Sequence, residues 1–390
     1  MRLRWRSIHI FGCTLALLTA SCHRVWNNVV PNSSVDPFSA AIPNDRYADD
    51  LGRFLAGVPA RAGSPFAELE RQPAWIKHRQ ELDRAWGGME QSSLPAMRVF
   101  QKQELGAATS PRAPVLYPFS GPDALMVATF FPSSPVYVMV GLEPAGTLPS
   151  PRQLSRKDLE KYLASVRATL ASELNRSFFI TREMDRQFRG QVTDGLFLPI
   201  LELLVRSRHT ILGFRYLRLN DRGEIIERPA ESWPARKISN KGVEIAFLQD
   251  EDQSVHKLLY FSVNLSDKSL RENQPFLAFL DALRGPATLL KATSYMIHKP
   301  EFSIIRQHLL AISSAVLQDD SGIPYHFFDE RSWRVQLYGA YVRPYGSFRW
   351  LEQADLRNAY LSSGAKSLNF RIGYGYGKIP SNLLLARKVN

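Results

Sequence analysis

The sequence predicts an α/β fold with a parallel core built on a βαβ unit, an N-terminal helical layer and an antiparallel β insertion or extension. Three observations carry this. Residues 44–105 show helical periodicity. Between Val115 and Val140 an apolar strand, a turn, a short apolar helix and a second apolar strand follow one another. The same order returns between Thr288 and Gln318. A strand that crosses over through a helix to a second strand pairs with it in parallel.

Taken in order, Leu51, Phe54 and Leu55 share one helical face, and Phe66, Leu69, Trp75, Ile76, Leu82 and Trp86 supply a second helix or pair. Gly87-Gly88 is expected to break it, with a third helix over Leu94–Leu105. Val115–Phe119 reads as a strand, Ser120–Asp123 as a turn, Ala124–Phe131 as a short buried helix stopped by Pro132, and Val136–Val140 as the second strand. Ser155–Leu174 is amphipathic, with Ser155 and Asp158 as a capping pair. More helix is expected at 178–189 and 195–207.

The middle is strand-rich, at Thr210–Leu219, Val243–Leu248 and Lys257–Leu265, with Asp221-Arg222-Gly223 as a hairpin turn. A helix at Glu272–Leu283 precedes a strand at Thr288–Ile297, a helix at Glu301–Ser313 and a strand at Ala315–Gln318. The last strands are expected at Trp333–Tyr341, Leu368–Tyr376 and Leu383–Val389.

The N-terminus speaks for export. Arg2, Arg4 and Arg6 form a positive start, Ile8–Ala20 is an uncharged apolar run, and Thr19-Ala20-Ser21-Cys22 closes it with small residues. The run is short for a transmembrane helix, which needs about 20 residues. The ending resembles a bacterial lipobox, except that Thr19 stands where Leu is commonest. The resemblance implies cleavage of residues 1–22 as a signal peptide, acylation of Cys22 and attachment to a membrane of the cell envelope. An ordinary cleaved leader is the alternative. Residues 23–43 carry three prolines without periodicity and read as a tether.

Cys13 and Cys22 are the only cysteines and both lie in the leader. The rest of the chain therefore has no disulfide, no Cys-ligated zinc and no thiol nucleophile. About 368 residues remain after the leader, enough for one large domain or two smaller ones. The domain is expected to divide into the helical layer at 44–105 and an α/β part at 106–390. Without Arg2, Arg4 and Arg6 the formal charge falls from +12 to +9, and residues 331–390 alone carry +8.

Two turns could carry chemistry. The first is YPFSGPD, residues 117–123. A turn between strand and helix offers free N–H groups at the positive end of a helix, so Ser120 and Gly121 are candidate anion ligands. Glu143 follows at the end of the next strand, where nucleotide-binding folds grip a ribose. The span from Val115 to Gly146 resembles the first βαβ of a Rossmann-like fold, which implies a nucleotide site. Gly121 stands alone where those folds carry two or three glycines, and an exported protein meets few nucleotides. Ser120-x-x-Asp123 is equally a capping box. Pro118 occupies the place of the first glycine in a hydrolase nucleophile elbow.

The second turn is QDDSGIPY, residues 318–325, with Asp319 and Asp320 following an apolar strand. Ligands of open α/β sheets sit beyond the carboxyl ends of strands. If Asp123, Glu143, Asp319 and Asp320 converge there, they could hold Mg²⁺ or Ca²⁺, or divide acid and base roles. Alternatively Asp319, Asp320 and Ser321 simply cap a turn. His298, near the end of a predicted strand, is a further possible base. YPFSGPD, FFP at 130–132, GLEP at 141–144 and QDDSGIPY together resemble an uncharacterised family of exported bacterial proteins. That resemblance implies one α/β unit across roughly 115–325 and transfers no activity or catalytic residue.

The basic tail is also aromatic. Arg331, Trp333, Arg334, Tyr338, Tyr341, Arg343, Tyr345, Phe348, Arg349 and Trp350 lie within twenty residues, and Arg371 and Tyr374 follow. Arg343 and Arg371 are candidate ligands for an anionic glycan or cell-wall polymer, with aromatic faces beside them. Nucleic acid would use the same chemistry, but the export signal argues against it. The alternating aromatics are equally those of strands with apolar inner faces. Two functions stay open: a non-catalytic envelope lipoprotein that binds such a ligand, or an envelope hydrolase or transferase built on the strand-end carboxylates.

Overall fold

Val115–Tyr117 and Val136–Val140 are apolar at every position, so strands made from them must be covered on both faces. That is how they are found in the computed structural model, which describes residues 38, 41–42, 44–106, 112–148, 150–176, 195–227, 241–249, 253–362, 364–374 and 381–389. The leader with Cys22, nearly all of the tether, the helix expected at 178–189 and residues 375–380 lie outside the described residues.

The chain opens with helices α1 (Arg46–Leu55), α2 (Pro73–Gln91) and α3 (Ser93–Phe100). β1 (Val115–Pro118), α4 (Ala124–Phe130) and β2 (Val136–Gly141) form the first βαβ unit. Helices α5 (Arg156–Arg176) and α6 (Phe197–Arg206) lead into β3 (His209–Leu219), β4 (Ile225–Glu227), β5 (Lys241–Gln249) and β6 (Val255–Ser262). Then come α7 (Asp267–Arg271), α8 (Gln274–Ala282), β7 (Ala287–Leu290), α9 (Ser303–Ile312) and β8 (Ala315–Gln318), the second βαβ unit. β9 (Trp333–Gly339), α10 (Ala354–Ser362) and β10 (Asn382–Lys388) complete the chain.

The strands form one mixed sheet in the order β4-β3-β5-β6-β2-β1-β7-β8-β10-β9. Its five central strands, β6-β2-β1-β7-β8, are parallel. On one flank β3, β4 and β5 add an antiparallel insertion. On the other flank β10 and β9 add an antiparallel extension. From β1 the chain builds outward through β2 to β6, then returns to lay β7 on the other side of β1. The direction of building therefore reverses between β1 and β7.

Helices cover both faces. α1 to α6 pack with Val115, Tyr117, Tyr137 and Met139 in one core. α7 to α10 pack with Leu116, Val138, Val140 and Val316 in the other. The N-terminal helical layer belongs to the first core, with α1 lying on β3 and α6. Residues Pro37–Asn390 form a single compact unit that contains both cores.

Several element boundaries differ from the sequence-based expectation. α2 runs through Gly87-Gly88 and ends at Gln91, because these glycines keep helical geometry and face open space. The strand expected over Thr288–Ile297 ends at Leu290, where Ala292, Ser294 and Tyr295 take positive φ. The expected helix at Glu272–Leu283 begins at Gln274 behind an Asn273 cap. Leu368–Tyr376 forms no strand in its described part. Leu368, Phe370 and Ile372 bury alternate side chains in the first core, and an isolated bridge joins Tyr338 to Lys366 just before them. The expected hairpin turn is present, with Gly223 at φ +78 joining β3 to the short β4.

Candidate functional site

Two buried groups meet at the carboxyl end of the sheet, where the building direction reverses. Lys291, directly after β7, places its ammonium nitrogen 2.5 Å from Asp123 Oδ2, and each side chain is 2% exposed. Asp123 closes the turn after β1. Its Oδ1 accepts the backbone N–H of Met126 (3.2 Å) and so caps α4, while its Oδ2 also accepts the Tyr117 hydroxyl (2.7 Å). The start of α4 is thus occupied by the chain's own carboxylate. Ser120 is buried, and its hydroxyl donates to the carbonyls of Gly121 (2.9 Å) and Val140 (3.3 Å). Gly121 makes the turn at φ +54.

Asp319 and Asp320 follow β8 and are buried. Asp319 Oδ1 accepts Ser321 N (3.0 Å) and Ser321 Oγ (2.5 Å), and its Oδ2 accepts Ala292 N (2.9 Å). Asp320 Oδ2 accepts the Tyr295 hydroxyl (2.5 Å) and Oδ1 accepts Asn382 Nδ2 (3.1 Å). Thr293 N donates to Ser321 Oγ (2.9 Å). Burial pushes the Asp319 carboxyl up, against the charge of Lys291 and its hydrogen bonds. Burial, then the neighbouring Asp319 charge, pushes Asp320 up to about 7. Burial holds His298 down at about 4.

The backbone here is strained. Phe119, Ala292, Ser294 and Tyr295 all sit at φ of +50 to +60. That region costs a non-glycine residue roughly 1–2 kcal/mol, and such strain gathers at functional sites and clamps. Gly373, at φ +61, lies so close to Asp319 that a Cβ would collide with its carboxylate.

An aromatic cluster covers this network. Tyr295 lies 5.0 Å from Phe348 and 5.9 Å from Tyr374, ring centre to ring centre, and Phe348 lies 5.5 Å from Tyr374. Gln353 ties the same segment down, with Nε2 donating to Asp320 O (2.9 Å) and its N–H to the Tyr341 hydroxyl (3.0 Å). Next to Phe348, Tyr345 and Trp350 are 72% and 69% exposed. Arg343 and Arg349 are exposed beside them. Arg343 Nε pairs with Glu352 at 2.8 Å.

The structure thus joins Asp123, Asp319 and Asp320 into one network with Lys291. Glu143 is not part of it. It lies half-buried beyond β2, and its carbonyl accepts the Tyr260 hydroxyl (2.8 Å). Arg371 is exposed. The tail's aromatics divide: Trp333 and Tyr338 are buried in the cores, while Tyr345 and Trp350 remain outside. Each oxygen of the three network carboxylates has a protein donor, so as it stands the network orders the strand-end loops. No group of three or more possible metal ligands occurs among the described residues. Lys291, Tyr295 and Asn382 were not foreseen. A lysine closing the apolar run ATLL was the one signal available for Lys291.

No protein-family model, curated protein or solved structure matches the chain.

Proposed function

We propose that the chain is an exported envelope lipoprotein, held by an acylated Cys22, that binds an anionic glycan or cell-wall polymer at the carboxyl edge of its sheet. The observation that carries this reading is the exposed pair Tyr345 and Trp350, which alternate along the chain with Arg343 and Arg349 on a segment anchored through Phe348. Aromatic faces stack on sugar rings, and guanidinium groups take carboxylate or phosphate in bidentate pairs. The rings are already outside, so their hydrophobic faces gain by being covered. The parallel strand order, reversing beside β1, supports a Rossmann-like core. Its β1 turn argues against a dinucleotide, because Asp123 already fills the end of α4 where a pyrophosphate would sit.

The test uses residues 37–390, which hold both cores. Anionic and neutral glycans of equal length are titrated by calorimetry. The anionic form is expected to bind, and Trp350→Ala and Arg349→Ala to weaken it at least about tenfold with an unchanged melting temperature. Equal binding of the neutral glycan, or no effect of either substitution, would sink this reading.

A second reading, an envelope hydrolase or transferase, draws on the strained residues beside the Asp319–Asp320 pair. Asp320 would hold the exchangeable proton. Turnover of a cell-wall substrate that is lost in Asp320→Asn, with the fold intact, would favour it over simple binding.

A further inference from the structure

A second polar site lies at the other flank of the sheet, where α1 meets the start of β3. A groove of about 440 Å³ is lined there by Asn44, Arg46, Asp49, Arg61, Thr210 and Leu212 among others. None of its lining residues belongs to the network around Lys291. Its volume falls in the usual range for small-molecule sites.

The local sequence explains the opening. Asp45 caps α1, with its Oδ1 accepting Tyr47 N (3.0 Å), and its own N–H donates to Leu212 O (2.8 Å). Leu212 is the extra residue of a β-bulge, since the β3–β5 register shifts between Ile211 and Gly213. A bulge bends its strand and re-aims side chains, and bulges recur beside binding sites. Here it turns the start of β3 toward the first turn of α1.

The chemistry of the lining is mixed in sign. Asp49 is 1% exposed. Its Oδ1 accepts Ile211 N (2.9 Å), while its Oδ2 is buried with no hydrogen bond and lies 3.3 Å from Arg61 Nε. A buried carboxylate oxygen without a donor is costly, by about 1–3 kcal/mol or more. Arg61 spends Nη2 on Thr210 Oγ1 (2.8 Å), and Arg46 spends Nη2 on Ala62 O and reaches Asp50 only at 3.6 Å. Both guanidinium groups are open to solvent, with side chains 59% and 40% exposed for Arg46 and Arg61. The N-terminal end of α1 adds positive potential at the same rim.

A simple cation would face two arginines, and a simple anion would face Asp49. A molecule with both charges close together satisfies each partner. We infer that this groove binds a small zwitterion of the α-amino-acid class, free or at the end of a larger molecule. Its ammonium takes the Asp49 carboxylate as partner, and its carboxylate takes Arg46 and Arg61. The site is separate from the aromatic rim, so either can fail without the other.

The experiment is calorimetry on residues 37–390 with L- and D-amino acids of increasing side-chain size. Three partial analogues accompany each: the N-acetyl acid, the amide and the decarboxylated amine. At least one amino acid is expected to bind, with each analogue at least about tenfold weaker. Asp49→Asn should erase the preference over the N-acetyl acid. Arg46→Gln, at an exposed side chain, should reduce the preference over the amide, with Arg61 keeping part of it, and should fold even if Asp49→Asn does not. If no amino acid binds up to about 10 mM, or if the N-acetyl acid or the amide binds as well as its parent, the inference is overturned. Equal preference in Arg46→Gln and wild type would overturn it too. Binding that persists when the amino acid is carried on a short peptide through its side chain would identify the larger source, and loss there the free one. Trp350→Ala should leave all of these values unchanged.

Discussion

Lys291 Nζ lies 2.5 Å from Asp123 Oδ2 with both side chains sealed from solvent, and this pair joins the carboxyl ends of two neighbouring parallel strands, β7 and β1. Removing one partner leaves a buried charge uncompensated, whereas removing both leaves none. Lys291→Met is therefore expected to cost about 3–5 kcal/mol. Adding Asp123→Asn should restore much of that loss. Urea unfolding of the two single variants and the double variant gives the coupling. Strictly additive losses would mean that the pair does not act as a unit.

Gly373 and Gly121 share a left-handed backbone but not a neighbourhood. A Cβ on Gly121 meets open space, whereas one on Gly373 meets the Asp319 carboxylate. Gly121→Ala should cost only the backbone term, about 1–2 kcal/mol. Gly373→Ala should cost clearly more and disturb Asp319, whose bonds hold Ala292 and Ser321. Unfolding midpoints of the two variants test this, and equal losses would remove Gly373 from the network.

The parallel strands were legible because both their faces are buried, so their sequences are apolar without alternation. The same rule overextended the strand after Thr288. Composition gives no sign that Ala292, Ser294 and Tyr295 turn left-handed, and their partners Asp319, Tyr374 and Asp320 lie far along the chain. Leu368, Phe370 and Ile372 alternate like a strand because they fill one core side by side, but alternation reports burial and not a ladder. Asp123, Asp319 and Asp320 were readable as carboxylates at strand ends. Lys291 was not, since a lysine after a strand reads as a surface cation until β1 and β7 are known to be neighbours. Asn382 reaches Asp320 only because β10 returns antiparallel beside β8.

Stability should depend on pH through two neighbours with opposite signs. Burial holds His298 near 4, below its ordinary 6.5, so the unfolded chain takes up a proton first as pH falls. Its contribution is complete above about 6.5 and is lost toward pH 4, at about 1.4 kcal/mol per pH unit. Asp320 titrates near 7 in the folded chain and near 4 when unfolded, so its contribution is complete below about pH 4 and is lost as pH rises to 7. Asp319, also raised by burial, acts in the same sense. Relative to wild type, Asp320→Asn should therefore gain stability as pH rises from about 4 to 7, and His298→Gln should lose it over the same range. Urea midpoints measured across that window decide the matter. If Asp320→Asn runs parallel to wild type, Asp320 does not carry a proton at neutral pH, and the second reading of the site loses its proton donor.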